Sequence, residues 1–480
     1  MPGMILLHGP AIPQLIAGTH GGVALGGYVS ARALAHRVAY RRRKRNEGSV
    51  PVTSAVLKVA DSIANLAGLL RRPLLAEPLI ERARRQTGLT DFGDTSFQEP
   101  MRRLLAACSA PEADLSLVGR MATAWDITRF LSNLLRFQAE EARHPGIADQ
   151  PITAPVFIAG LPRSGTTFLH RLMMTDPANR APAVWETIFP WPIDQDAERK
   201  RQDRRVARVR NQLKMFEWMA PEFRALHPLD ATSPQECSEI TAHVFRSLRF
   251  DTNYHVPAYR QWLDADVQRH LPAYQFHHRF LRHLQFQDGR PRQWVLKCPE
   301  HVFALRAIRA VYPDARIIFV HRDPVKVLLS VARLTEVLRR PFARDVNPLV
   351  IGRDESARWL AGAERMMETG DDAGFPEPIC HVHHMDLISD PAATVEAVYW
   401  HFGLPFPPGG VTAIEQYTAA RPNGGYGGRD YGFADHGLDE AAERKRFRPY
   451  MLRFGIATEV ASNRRRPERQ SPERTRAPAP

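Results

Sequence analysis

The run Val156-Phe157-Ile158-Ala159-Gly160-Leu161-Pro162-Arg163-Ser164-Gly165-Thr166-Thr167 limits what this chain can fold into more than any other stretch. Its β-branched and aromatic start favours a strand. Gly160, Pro162 and Gly165 then impose a turn. Phe168, Leu169, Leu172 and Met173 follow on one face of a helical pattern. A strand, a glycine turn and a helix start together aim backbone N–H groups at an anion. The Walker A pattern G-x-x-x-x-G-K-[ST] is nearly met, but Thr166 stands where its lysine should be. That lysine normally reaches the terminal phosphates of a nucleoside triphosphate, so Mg²⁺-dependent triphosphate chemistry is not expected. A phosphate is still the expected ligand. Its cradle is Pro162, Arg163, Ser164, Gly165, Thr166 and Thr167, with Arg163 as the fixed charge.

Further along, short apolar runs alternate with helical patterns. Strand candidates are 155–159, 293–296, 316–320 and 379–384, and such spacing predicts βαβ units and a parallel sheet. One run, Arg316-Ile317-Ile318-Phe319-Val320-His321-Arg322, ends in an arginine and leads into a helix carrying Ser330. Val327, Leu328, Val331, Leu334 and Leu338 would bury one face of that helix, leaving Ser330 to point elsewhere. Another run, Trp294-Val295-Leu296-Lys297, ends in a lysine at the edge where α/β sheets bind ligands.

Taken in order, the loop, the Lys297 strand, the Arg322/Ser330 pair and the segment Val382–Leu387 with Asp390-Pro391 resemble the sulfotransferase family that uses 3′-phosphoadenosine 5′-phosphosulfate (PAPS). The likeness is greatest to a bacterial group similar to tyrosylprotein sulfotransferases. It implies an α/β fold with a P-loop-like central parallel sheet flanked by helices, preceded by an N-terminal helical region. It also implies roles for residues. The 162–167 loop would hold the 5′-phosphosulfate, and Arg322 and Ser330 the 3′-phosphate. Lys297 would meet the transferring sulfonate beside Arg163. Glu186, in Val184-Trp185-Glu186-Thr187, lies near the place of those enzymes' base, while other family members use a histidine, which makes His301 the rival. The implied reaction is metal-independent in-line transfer to a hydroxyl of a small molecule, peptide or glycan. A nucleotide kinase or NTPase, and a non-catalytic nucleotide-binding protein of the same fold, are the competing readings.

Organisation follows composition. Residues 1–50 read as a poorly ordered extension, 51–150 as a helical lead-in, 151–455 as the α/β domain and 456–480 as a disordered basic tail. In the lead-in, Val56, Ala60, Ile63, Leu66 and Leu70 form one helical stripe. Of the net charge of +13, the first fifty residues carry +6 and the last twenty +4, which leaves +3 for the body. A nucleic-acid face is therefore not expected. Residues 11–30 are uncharged, but Pro13, His20 and several glycines make a membrane span a poor reading. The four cysteines form no C-x-x-C pair, which fits a reduced, cytoplasmic setting without a disulfide framework or zinc. His381 and His383 share a strand face with no third ligand in suitable spacing, so no metal is expected. A homodimer is compatible with the sequence. The long insertion between Glu186 and Trp294 holds Trp218, Phe223, Phe245, Tyr254, Tyr259 and Trp262, which either line an acceptor pocket or pack a core.

Overall fold

Apolar runs without polar alternation suit strands covered on both faces, and three such runs build the centre of the molecule. The structure is a computed structural model that describes residues 52–191, 195–370, 374–421 and 432–459, with side chains from 58 onward and, in the helix Gln195–Met219, from 204. Strands β1 (Val156–Gly160), β2 (Asn179–Arg180), β3 (Gln293–Lys297), β4 (Arg316–His321) and β5 (Cys380–His383) form one sheet in the order β2-β3-β1-β4-β5. All pairings are parallel. Ile158 of β1 lies between Lys297 of β3 and Ile318 of β4. That register brings the carboxyl ends of the three central strands out along one edge, where open α/β sheets hold ligands.

Alternate residues serve opposite faces of the sheet. Val156, Ile158, Val295, Ile318 and Val320 pack on one side with Leu169, Leu172 and Val398. Phe157, Ala159, Leu296, Ile317 and Phe319 pack on the other, in a core that also takes in Leu79, Met101, Leu104 and Phe130. Those last residues come from the helices Ala76–Thr87, Gln98–Ser109 and Leu117–Arg143. The helical lead-in thus shares the core of the sheet. The long helix Leu117–Arg143 begins where the Ser116 hydroxyl accepts the Gly119 N–H, 2.9 Å away.

The structure departs from the sequence expectations at several points. In the helix Val52–Leu66, Ile63 and Leu66 of the expected stripe are exposed, and it is Ala64 that is buried. Residues 236–249 of the insertion, whose sequence reads as one helix, do not form a continuous one. The chain breaks into Ser238–Thr241, Ala242–Val244 and Arg249–Asn253 because Phe245 adopts a left-handed conformation (φ 56°) while packing against Phe97, Phe130 and Phe250. Residues 456–459, assigned to the tail, pack on the domain, and Ile456 is buried. The extension 1–50, the glycine segment 423–429 and residues 460–480 lie outside the described residues. Among the described residues, no helix is long and apolar enough to cross a membrane.

Candidate active site

The turn after β1 needs its glycines. Gly160 has φ 143°, and a Cβ there would meet the Val320 carbonyl oxygen at 2.5 Å. Gly165 has φ 109°, with the His384 ring 2.9 Å from where a Cβ would stand. Arg163 is held left-handed at φ 63°, a conformation that costs energy for a non-glycine residue and tends to cluster at functional sites. The helix Thr166–Met173 starts at once, so its N-terminal N–H groups face the turn. The Ser164 hydroxyl is buried with no hydrogen-bond partner. An unpaired buried hydroxyl in a turn of this shape fits a phosphate oxygen.

The arginine expected to meet a second anionic group lies next to this turn. Arg322, just past β4, donates to the backbone carbonyl of Arg163 at 3.0 Å. Arg163 in turn donates through Nε to the Ser330 hydroxyl at 3.1 Å. Ser330 lies in the helix Pro324–Arg339, which Asp323 caps by accepting the Val325 N–H at 3.0 Å. The sequence placed Arg163 in one βα crossover and Arg322 with Ser330 in another, and the fold brings the three into one hydrogen-bonded chain. The remaining guanidinium donors of Arg322 reach Glu459, at 2.7 and 2.8 Å.

Lys297 replaces in space what Thr166 lacks in sequence. It enters from the end of β3, and its ammonium donates to the Thr167 hydroxyl at 3.1 Å. It also forms an ion pair with the carboxylate of Glu236. Lys297 is only 2% exposed, whereas Glu236 keeps 30% of its side-chain surface open. Burial pushes the Glu236 carboxyl up, but the Lys297 ammonium and the His227 ring outweigh it and hold the group below the usual carboxylate range. The backbone next to it is fixed because the Cys237 N–H donates to the Lys297 carbonyl at 3.1 Å. Sequence reasoning did not single out Glu236. It belongs to no motif, and only this contact between the insertion and β3 brings it to the site.

The candidate bases named from the sequence sit elsewhere. Glu186 is paired with Arg180 at 2.9 Å and accepts the Ala183 N–H at 2.8 Å, a buried helix-start arrangement. His301 is fully buried, with Nδ1 2.6 Å from the Tyr274 hydroxyl, and burial drives its basicity far down. Neither lines the main cavity, a cleft of about 1000 Å³. That cleft opens on Pro162, Arg163, Gly165, Thr166, Thr167, Glu236 and Arg322, and continues past Phe168, Leu226, Leu248, Leu334 and Trp359. Lys297 and Ser330 lie just beneath it and reach it through Thr167, Glu236 and Arg163. Of the six insertion aromatics, Phe223, Phe245, Tyr254 and Tyr259 are buried in cores, Trp262 packs against one, and Trp218 is exposed. His321 and His381 hydrogen-bond to each other at 2.8 Å. Among the described residues, no group of three His, Cys, Asp or Glu side chains is placed to hold a metal.

Comparison with known proteins agrees with this geometry. The pattern described as "Sulfotransferase family" matches residues 155–408, more than half of the chain. The chain belongs to the sulfotransferase family. Omega-hydroxy-beta-dihydromenaquinone-9 sulfotransferase Stf3 of Mycobacterium bovis is 26% identical over 268 residues, and the same holds for Stf3 of Mycobacterium tuberculosis. The match covers 52% of this chain and 63% of those relatives. Among solved structures, sulfotransferase STF1 from Mycobacterium tuberculosis is 28% identical with a TM-score of 0.67, covering 78% of this chain and 99% of that one. Sulfotransferase STF9 from Mycobacterium avium has the same fold at 24% identity and a TM-score of 0.71, covering 80% and 97%. The family resemblance and the P-loop-like parallel sheet expected from the sequence are both borne out.

Proposed function

We propose that this sulfotransferase-family chain takes a sulfuryl group from PAPS and passes it to a hydroxyl of an acceptor held in the apolar half of the cleft. The observation that carries the reading is the Arg322–Arg163 contact at 3.0 Å. It holds the Arg322 guanidinium against the backbone of the 162–167 turn at the sheet edge, the closeness that a donor with separate 5′ and 3′ anionic ends requires. The 162–167 turn, with the orphan Ser164 hydroxyl and the close-packed Gly165, fits the 5′ end. Arg322 and Ser330 fit the 3′-phosphate.

The acceptor oxygen forms a bond to sulfur as the bond from sulfur to the 5′-phosphate oxygen breaks, releasing adenosine 3′,5′-bisphosphate and a sulfate ester. Little covalent work falls to the protein, so positioning and electrostatics carry the rate. Lys297 supplies a compact positive charge beside the bridging oxygen. Glu236 takes the acceptor's proton. It is ionised at neutral pH, reaches the open cleft, and is freed from Lys297 when the donor's anionic group draws that ammonium. Glu236 replaces Glu186 and His301 as the assigned base, because those two are committed to Arg180 and Tyr274. Thr166 and Thr167 direct the helix start toward the donor. Phe168, Leu226, Leu248 and Leu334 favour an acceptor with an apolar body. The Stf3 relatives are named for a hydroxylated dihydromenaquinone, and only the acceptor hydroxyl is carried over from that name.

The test is transfer of label from [³⁵S]PAPS into organic-extractable alcohols and phenols. Label should appear in product without added metal. Neither transfer nor binding of adenosine 3′,5′-bisphosphate would reject the reading. Stabilisation by ATP·Mg²⁺ rather than by the bisphosphate would favour a kinase.

A further inference from the structure

Glu459 stands on the arginine assigned to the donor's 3′-phosphate. Its carboxylate takes both outer donors of Arg322, at Nε (2.7 Å) and Nη2 (2.8 Å). This is the two-pronged geometry with which a guanidinium also grips a phosphate. The pair is sheltered, with Arg322 11% and Glu459 18% exposed. Nor is Glu459 there by a side-chain contact alone. Its N–H donates to Asp323 Oδ2 at 2.9 Å, and that same carboxylate oxygen accepts from Arg444 at 3.2 Å. The chain leading to it is anchored as well. Phe454 stacks on the His321 ring at 4.5 Å, and the Ile456 N–H returns to the Met451 carbonyl at 2.8 Å.

We propose that the segment 454–459 is a built-in competitor of the donor, with the Glu459 carboxylate occupying the 3′-phosphate position on Arg322 until the nucleotide displaces it. The proposal rests on the reading of Arg322 as a 3′-phosphate ligand. A carboxylate and a phosphate cannot share one guanidinium fork, so the apparent affinity is the intrinsic affinity multiplied by the fraction of molecules whose fork is free. The competition is selective. Only a nucleotide with a 3′-phosphate meets it, because the fork that Glu459 occupies is that of Arg322, while the 5′ end falls to the 162–167 turn.

The experiment uses the full chain and the variants Glu459→Gln and Glu459→Ala, with adenosine 3′,5′-bisphosphate and adenosine 5′-monophosphate titrated into each by calorimetry. The Gln variant keeps the shape of the side chain and removes its charge, so loss of fold does not confuse the result. Both variants should bind the bisphosphate about ten-fold more tightly, as expected when a largely occupied site is freed. Their affinity for the monophosphate should stay the same. Unchanged or weaker bisphosphate binding in both variants, with the wild type still binding it, overturns the competitor while leaving the sulfotransfer reading in place. Absence of bisphosphate binding in all three chains overturns both.

Discussion

The ammonium of Lys297 stands 3.1 Å from the hydroxyl of Thr167, joining the end of β3 to the first turn of the helix that follows β1. In a Walker A loop, the corresponding charge comes from the residue at position 166. Here it arrives from a neighbouring strand, and Thr167, where such a loop would hold Mg²⁺, is engaged by a lysine instead. Lys297→Ala should therefore lower kcat by about 10²–10³-fold, the scale of losing one preorganised charge at a reacting centre. Its effect on affinity for adenosine 3′,5′-bisphosphate, which lacks the sulfonate, should be far smaller. Steady-state kinetics and calorimetry together check this, and a loss confined to binding would remove Lys297 from the chemical step.

Glu236 and Glu186 can be separated by one pair of substitutions. Glu236→Gln should lower kcat by about 10²–10⁴-fold, the usual contribution of a positioned base, while leaving bisphosphate binding intact. Glu186→Gln should leave kcat nearly unchanged and lower thermal stability, because it strands Arg180, whose other contact within ion-pair range is Asp288 at 3.6 Å. Breaking a buried pair from one side costs about 3–5 kcal/mol. The reverse pattern would return the base to Glu186.

Acid should weaken the fold well above the carboxylate range. Burial holds His170, His227, His243 and His277 near a pKa of about 3, against an ordinary 6.5. Between those values the unfolded chain binds protons that the folded chain refuses, so stability is present above 6.5 and is lost as pH falls through this window. Glu300 works in the opposite sense. Burial pushes it up to about 7, so it stays protonated in the fold where an unfolded glutamate would ionise. That favours the fold as pH drops from 7 toward 4.5, but it is one group against four. The midpoint of thermal unfolding should fall steadily from pH 7 to pH 5. A flat or rising midpoint would mean that these histidines are not buried in neutral form.

Gly160→Ala should be among the most damaging single-atom changes in the chain. The added carbon would meet the Val320 carbonyl at 2.5 Å, in a backbone region that alanine rarely enters. A loss of about 2–4 kcal/mol in denaturant unfolding is expected, combining strain with a shift of the β1–β4 pairing. Loss of nucleotide binding should come with it, because the turn is set by that pairing.

How much could be read in advance follows from where the information lies in the chain. The 160–167 turn was legible because strand, glycines and helix start are contiguous. Lys297 and Arg322 were legible because each ends an apolar run, and parallel sheets put such ends on one edge. The chain from Arg322 through Arg163 to Ser330 was legible only as separate parts, since its hydrogen bonds join residues more than 150 positions apart. Glu236 was not legible, as a contact between the Cys237 N–H and the Lys297 carbonyl sets its place. Glu186 drew attention for a reason that has a second cause: a glutamate at the third position of a short helix also serves to cap it, and here it does. Strand β2, two residues long, has no pattern to detect. The insertion aromatics were left between pocket and core, and most of them went to the core, while leucines and Trp359 line the cleft.

The most direct test of the account is calorimetric titration of adenosine 3′,5′-bisphosphate and adenosine 5′-monophosphate into the wild-type chain, Arg163→Ala and Arg322→Ala. Arg163 and Arg322 holding opposite ends of one nucleotide require that Arg163→Ala weaken both ligands. They require also that Arg322→Ala weaken the bisphosphate alone, by about ten- to hundred-fold for one lost charge-assisted contact. An unchanged preference for the bisphosphate in Arg322→Ala would contradict the account.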